Sequence, residues 1–150
     1  MPDLCNRLGM RLVDQLFQRY GESHRHPTNK TIHWVCVPLI VWSVLGVLWS
    51  VSPIIGYIAI GLAMLFYVWL SVPLAVGMIG IIALMVYPLT LLGDRALFAS
   101  LMVFVVAWIG QFIGHRIEGK KPSFFDDVKF LLVGPAWLLG FLYRRLGIDY

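Results

Sequence analysis

Histidine is the residue type in this chain whose placement best suits chemistry. His24, His26 and His33 precede a long apolar stretch, and the fourth histidine, His115, follows it. Imidazole nitrogens bind iron, zinc, copper and nickel in proteins. If the fold brings the two ends of the apolar stretch together, these side chains predict a shared metal site. The alternative is that each one satisfies only a local hydrogen bond at a membrane surface.

The composition indicates that this apolar stretch lies in a membrane. Of the 150 residues, 59% are hydrophobic and only 13% are charged, too few to cover a water-soluble domain. Eleven of the twelve lysines and arginines lie before residue 31 or after residue 115, and Arg95 is the exception. Charges at the two ends of membrane spans differ from the contiguous basic patch of a nucleic-acid-binding surface. We therefore expect a membrane-lipid environment and no nucleic acid.

Residues 34–114 are long enough for four transmembrane helices of roughly 20 residues each. The predicted spans are Trp34–Ser52, Pro53–Leu70, Leu74–Leu92 and Leu97–Gly114, with a tight turn at Ser71–Pro73 and a charged loop at Gly93–Ala96. Four spans place both termini on the same side, and the basic residues predict that this side is cytoplasmic. The final residues, GIDY, carry no ER-retention motif, which favours a bacterial inner membrane over an ER membrane.

The segment before the spans predicts an amphipathic helix that lies on the membrane or caps the bundle. Its apolar residues recur every four positions, at Leu8, Leu12, Leu16 and Tyr20. After the spans, the apolar stretch Phe130–Tyr143 is short for a crossing and is broken at Gly134-Pro135. It predicts an interfacial or re-entrant helix, with a fifth span as the alternative.

The predicted fold class is therefore an all-α integral membrane protein with four transmembrane helices, an N-terminal amphipathic helix and a C-terminal interfacial or re-entrant helix. Residues 1–150 are predicted to form a single membrane domain. It comprises an interfacial helix and histidine loop (1–33), the spans (34–114), and a His/Glu segment with an interfacial helix (115–150).

The local sequence on either side of the spans supports a common site. Thr28 or Asn29 is predicted to cap the first span, which would put His33 in its opening turn, and a turn at Pro27 would let His24 fold back beside it. On the last span, positions i, i+4 and i+7 share one face and are occupied by Gln111, His115 and Glu118. A G-x-x-x-G pair, Gly110 and Gly114, would let that helix approach another closely.

Two segments of this sequence resemble the paired signatures of the small membrane 2-hydroxy fatty acid dioxygenases, which act in phytosphingosine breakdown in fungi and have bacterial relatives. The segments are SHRHPTNKTIHWVCVPLIVWS and GQFIGHRIEGKKPSFFDD, and the resemblance covers nearly the whole chain. The pattern is H-x4-N-x3-H before the spans, then G-H, an acid, a basic pair and proline after them. It falls on His24, Asn29, His33, Gly114, His115, Glu118, Lys120, Lys121 and Pro122.

The resemblance implies an enzyme that binds ferrous iron and uses O2 to shorten 2-hydroxy fatty acids by one carbon, a step of fatty acid α-oxidation. It implies His24, His33 and His115 as iron ligands and gives catalytic roles to Asn29 and Glu118, although Glu118 stands one residue closer to the G-H histidine than the acid often does. Asp126 is an alternative carboxylate. The remaining candidates are His26 and Gln111 beside the ligands, and Arg25, Lys30, Lys120 and Lys121 for the substrate carboxylate.

The acyl tail is expected to lie between apolar helices, along aromatic side chains drawn from Trp34, Trp42, Phe66, Trp69, Phe104 and Trp108. Two other functions compete with the dioxygenase. A non-catalytic lipid-binding scaffold would keep its metal content unchanged in His33→Ala. A zinc-dependent lipid hydrolase would need no O2. A transporter is disfavoured, because no acidic or basic residue lies between Trp34 and Gly93.

Overall fold

The computed structural model describes residues 10–22, 26–119 and 130–150, and this part of the chain is helical throughout, without a strand. The helices are α1 (Leu12–Gly21), α2 (Pro27–Val51), α3 (Pro53–Leu70), α4 (Val72–Leu92), α5 (Ala96–Glu118) and α6 (Val133–Leu146), with a 3-10 turn at Gly93–Arg95 between α4 and α5. Some residues singled out in the sequence lie outside the described ranges: Leu8, His24, Arg25, Lys120, Lys121, Pro122 and Asp126.

Three helical segments are long and apolar enough to cross a membrane. They are α2, α3 and the continuous run Val72–Glu118, with mean hydropathies of 2.0 to 2.2. The outer surfaces of these segments carry large apolar side chains, such as Trp69 at 70% exposure, as expected where lipid is the solvent. The membrane class is thus supported. The count of four spans stays a prediction, since α4, the 3-10 turn and α5 form one run of 47 residues.

The chain nevertheless changes direction at Gly93–Arg95. Gly93 has a φ of 50° and a ψ of −126°, a conformation that favours glycine. Gly46 of α2 lies next to both Leu89 of α4 and Ser100 of α5, so the residues on either side of this turn return to the same level of the bundle. The predicted charged loop therefore acts as a tight reversal.

Serine and proline explain the other two breaks. The hydroxyl oxygen of Ser52 accepts a hydrogen bond from the backbone N–H of Ile54, and Pro53 opens α3. Ser71 caps α4 in the same way, through the backbone N–H of Leu74. Proline fits the first helical turn because its missing N–H has no intrahelical partner there. The helix boundaries predicted at these two sites are confirmed within one or two residues.

Small residues bring α2 and α5 together as an antiparallel pair. A Cβ atom on Gly110 would lie 2.6 Å from Sγ of Cys36, and one on Gly46 would overlap the hydroxyl of Ser100. At the far end, a Cβ on Gly114 would overlap the side-chain oxygen of Asn29. Close backbone approach of this kind is typical of helix packing in membranes. It places the beginning of α2 beside the end of α5.

Helices α1 and α6 pack together over that same end of the bundle. The buried face of α1 carries Val13, Phe17 and Tyr20. The predicted stripe is therefore confirmed at Tyr20, which is buried, and in part at Leu16, which packs against the core, but it is wrong at Leu12, which is 41% exposed. Val13 and Phe17 are buried in addition because α6 packs on this side of α1, with Trp137 against Tyr20.

Helix α6 is a short packed helix. Its 14 residues span about 21 Å, less than the ~30 Å hydrocarbon core, which argues against a fifth span. Gly134 and Pro135 lie in its first turn, where proline is tolerated, so they begin this helix and do not break it as predicted. Hydroxyl groups of Tyr67 and Tyr143 donate to the carbonyls of Leu132 and Pro73, at 2.9 and 3.0 Å, and attach α6 to α3 and α4.

Candidate active site

The imidazoles of His33 and His115 meet inside the bundle. Their ring centroids are 5.0 Å apart and their planes stand at 89° to each other. The two side chains are only 2% and 5% exposed, and both Nε2 atoms are buried. They come from α2 and α5, so the structure joins the two ends of the apolar stretch, as the sequence predicts.

A backbone contact orients His33. Its Nδ1 lies 2.9 Å from the carbonyl oxygen of Asn29, one turn earlier on α2. Because a carbonyl oxygen can only accept, Nδ1 is the donor, and in a neutral imidazole Nε2 then keeps its lone pair. This is the arrangement common to metal-binding histidines, in which a hydrogen bond at one ring nitrogen directs the other toward the ion.

Asn29 and Glu118 join the ends of α2 and α5. The Glu118 oxygen Oε2 accepts hydrogen bonds from the side-chain amide of Asn29, at 3.0 Å, and from the backbone N–H of His26, at 2.9 Å. Asn29 is fully buried, whereas Glu118 is only partly so. Both donors lie at the N-terminus of α2, where a negative charge is favoured by the helix dipole. These contacts attach the end of α5 to the start of α2.

His26 caps α2. Its Nδ1 accepts a hydrogen bond from the backbone N–H of Thr28, at 3.2 Å, and Pro27 takes the first helical position. The predicted caps, Thr28 and Asn29, are therefore wrong, and His33 lies in the second turn of α2. The extended backbone of His26, followed by proline, aims the imidazole at the helix N-terminus.

Gln111 lies one turn before His115 on α5 and is 4% exposed. It borders a cavity of about 20 Å³ that also reaches His33. The other lining residues are Tyr20, Val37, Ile40, Trp108, Phe130 and Leu131. No sequence pattern indicated Tyr20 or Leu131 in this role, because their positions depend on how α1 and residues 130–132 pack over the bundle.

The aromatic residues considered for the acyl tail are dispersed. Trp108 lines the cavity and Phe104 packs beside it, with ring centroids 6.0 Å apart. Trp34 and Trp69 face outward, while Trp42 donates to the backbone carbonyl of Met85 between α2 and α4. These six side chains do not form one continuous path.

Two of the three predicted metal ligands, His33 and His115, lie together in the described residues. The described part of the chain contains no group of three histidine, cysteine, aspartate or glutamate side chains that could hold an ion. Two buried imidazoles, one of them oriented through Nδ1, are suitable donors for iron or zinc. Lys30 is exposed in the first turn of α2, at the same end of the bundle.

Comparison with known proteins identifies the family. The family described as 2-hydroxy-palmitic acid dioxygenase Mpo1-like matches residues 10–146, which include every described helix. The chain belongs to the Mpo1-like family. Among curated proteins, this Mpo1-like chain is 29% identical over 137 residues to the 2-hydroxy-palmitic acid dioxygenase MPO1 of Saccharomyces cerevisiae, covering 85% of the chain and 78% of the relative. No solved structure matches it.

Proposed function

We propose that this protein is an Fe(II)-dependent dioxygenase that shortens 2-hydroxy fatty acids by one carbon at the membrane interface. The observation that carries the proposal is the buried pair His33 and His115, brought together from the two ends of an Mpo1-like chain. The relative's name supplies the substrate class, a 2-hydroxy fatty acid, and the reaction class. The apolar outer surface of the bundle is suited to a substrate that partitions into lipid.

His33 and His115 would hold the iron, with His24 as the third ligand expected from the sequence. Bound ferrous iron would supply the electron-transfer chemistry that O2 needs to react with an organic substrate. The overall reaction balances with no external reductant. One O2 takes up four electrons: two are released as the carboxyl carbon leaves as CO2, and two as the α carbon is oxidised to the carboxyl group of the shortened acid. The products are the shortened acid, CO2 and water.

The chain's own contribution is orientation and burial. The Asn29 carbonyl fixes the ring of His33, and the bridge from Asn29 to Glu118 holds α2 and α5 in register at this end. The covering helices α1 and α6 limit the access of water, which strengthens polar interactions inside. The positive charge of Lys30 favours a carboxylate at this end, and Arg25, Lys120 and Lys121 are proposed to add to it.

The test is elemental analysis of detergent-purified protein, combined with an assay on 2-hydroxypalmitate under air and under anaerobic conditions. We expect about one iron per chain, lost in His33→Ala and in His115→Ala, and turnover that requires O2. His26→Asn is the matched control, because asparagine also caps helices well and should keep the iron.

Other results would point elsewhere. Stoichiometric zinc with turnover in the absence of O2 would indicate a lipid hydrolase. Protein that contains no metal after reducing, anaerobic purification, and that leaves 2-hydroxypalmitate intact, would contradict the proposal and favour the lipid-binding scaffold.

A further inference from the structure

The small cavity beside His33 is closed by parts of the chain that are far apart in sequence. Helix α1 contributes Tyr20, α2 contributes His33, α5 contributes Trp108 and Gln111, and the segment before α6 adds Leu131. Its volume of about 20 Å³ is enough for one group the size of a water molecule. Most of the lining is apolar, so a polar occupant must be held by a few specific side chains.

Gln111 is the side chain that needs such an occupant. Its oxygen Oε1 is buried and accepts no hydrogen bond from any residue in the described ranges 10–22, 26–119 and 130–150. Buried acceptors in native proteins almost always have a partner, and leaving one unsatisfied is costly. The missing partner must donate a hydrogen, because a carboxamide oxygen can only accept.

The position of this acceptor narrows the choice of donor. Gln111 lies one turn from His115 on α5, and the same cavity reaches His33, so a donor held there would lie beside the His33 imidazole. Tyr20, His33 and Trp108 are the other polar side chains that line the cavity, and none of them donates a hydrogen bond to this oxygen. A single hydroxyl group fits the volume and supplies the required hydrogen.

We propose that Gln111 selects for 2-hydroxy acids by accepting a hydrogen bond from the substrate's 2-hydroxyl group. The inference rests on the proposed function and adds a specificity-determining residue to it. In the absence of substrate a water molecule takes the same place, and the hydroxyl replaces it with an equivalent hydrogen bond. A site that offers a buried acceptor to a substrate hydroxyl discriminates strongly against the analogue that lacks the hydroxyl.

The experiment compares two ligands that differ only in that group, 2-hydroxypalmitate and palmitate. For wild type and Gln111→Leu, the KM for the hydroxy acid and the inhibition constant for palmitate are measured together with iron content. We expect Gln111→Leu to raise the KM for the hydroxy acid by about 10-fold or more, the size of one lost buried hydrogen bond. The inhibition constant for palmitate should change less than about 2-fold, since palmitate has no hydroxyl to lose.

Gln111→Met provides a second variant, with a flexible side chain of similar length, in case Gln111→Leu does not fold. It should also raise the KM for 2-hydroxypalmitate and leave the inhibition constant for palmitate nearly unchanged. Ser100→Ala is the control, because Ser100 is also a buried polar residue of α5 but lies at Gly46, away from the cavity. It should leave both constants unchanged.

Each further outcome overturns the inference in a recognisable way. If wild type is active and neither the KM for 2-hydroxypalmitate nor the inhibition constant for palmitate changes in the Gln111 variants, Gln111 does not select the hydroxy acid. The proposed function is then unaffected. If the KM for 2-hydroxypalmitate and the inhibition constant for palmitate rise by the same factor, Gln111 supports the fold only. Wild type that does not turn over 2-hydroxypalmitate removes the proposed function and this inference with it.

Discussion

The side-chain amide of Asn29 donates a 3.0 Å hydrogen bond to the carboxylate of Glu118 and so joins the first turn of α2 to the last turn of α5. The same carboxylate oxygen accepts from the backbone of His26. One side chain therefore satisfies two donors at the start of the helix that carries His33. We therefore expect Glu118 to act by joining the two helices, and this expectation can be tested against a role as metal ligand.

Replacement of Glu118 distinguishes a bridge from a metal ligand. Glu118→Gln retains an oxygen that can accept from both donors, so we expect iron content and turnover within a few-fold of wild type. Glu118→Ala removes the acceptor and should lower the free energy of unfolding by about 1–3 kcal/mol. Thermal unfolding in detergent measures the change in stability, and elemental analysis measures the iron content. Full loss of iron in Glu118→Gln would instead identify Glu118 as a ligand.

Gly114 is expected to be the glycine most sensitive for activity. A Cβ atom there would overlap the Asn29 side chain and approach Cγ2 of Ile32 to 3.3 Å, so Gly114→Ala should separate α5 from α2 next to His115. We expect a loss of about 1–3 kcal/mol in the free energy of unfolding and lower turnover. Gly61→Ala is the matched control, since no atom lies within 4 Å of its added Cβ. If both variants behave alike in unfolding and activity assays, the close approach is unimportant.

Gly46 tests the same helix pair far from the histidines. Gly46→Ala would overlap the Ser100 hydroxyl and should destabilise the protein by about 1–3 kcal/mol. The double variant Gly46→Ala/Ser100→Gly removes the overlapping hydroxyl and should recover much of that loss. A double-mutant cycle of unfolding free energies measures the coupling, and purely additive effects would argue against direct contact.

Tyr67 holds the segment that closes the cavity. Tyr67→Phe removes the hydrogen bond to the carbonyl of Leu132 and should cost about 1 kcal/mol, with a raised KM because Leu131 is released. Tyr143→Phe removes a similar bond, to Pro73, in a more exposed place and should cost less than about 0.5 kcal/mol. Equal KM values in wild type and Tyr67→Phe would show that residues 130–132 do not shape the substrate site.

The features that could be predicted from the sequence are those set by local chemistry. A serine with a proline one or two residues later ended one helix and began the next at Ser52 and Ser71, and apolar length identified the membrane segments. The meeting of His33 with His115 followed from the three reversals between them, which together bring the end of α5 back to the end of the bundle where α2 begins. Such signals require only a residue and its near neighbours.

The features that could not be predicted depend on packing between distant elements. Val13 and Phe17 of α1 are buried beside the predicted Tyr20 because they share a core cluster with residues of α6, which no local pattern reveals. His26 acts as a cap only because Pro27 fixes the helix start. The cavity at Gln111 requires α1, α2, α5 and residues 130–131 together, so the sequence could only name Gln111 as a neighbour of the site.

The separation of His33 and His115 along the chain has a consequence for biosynthesis. During translation His33 enters the bilayer with α2, and its partner is not made until α3, α4 and nearly all of α5 have followed. A nascent chain interrupted at Leu92 has two or three inserted helices and half of the imidazole pair. Under the proposed function, iron uptake would therefore require that synthesis and helix assembly are complete, and truncated chains would reach the membrane without a complete histidine pair.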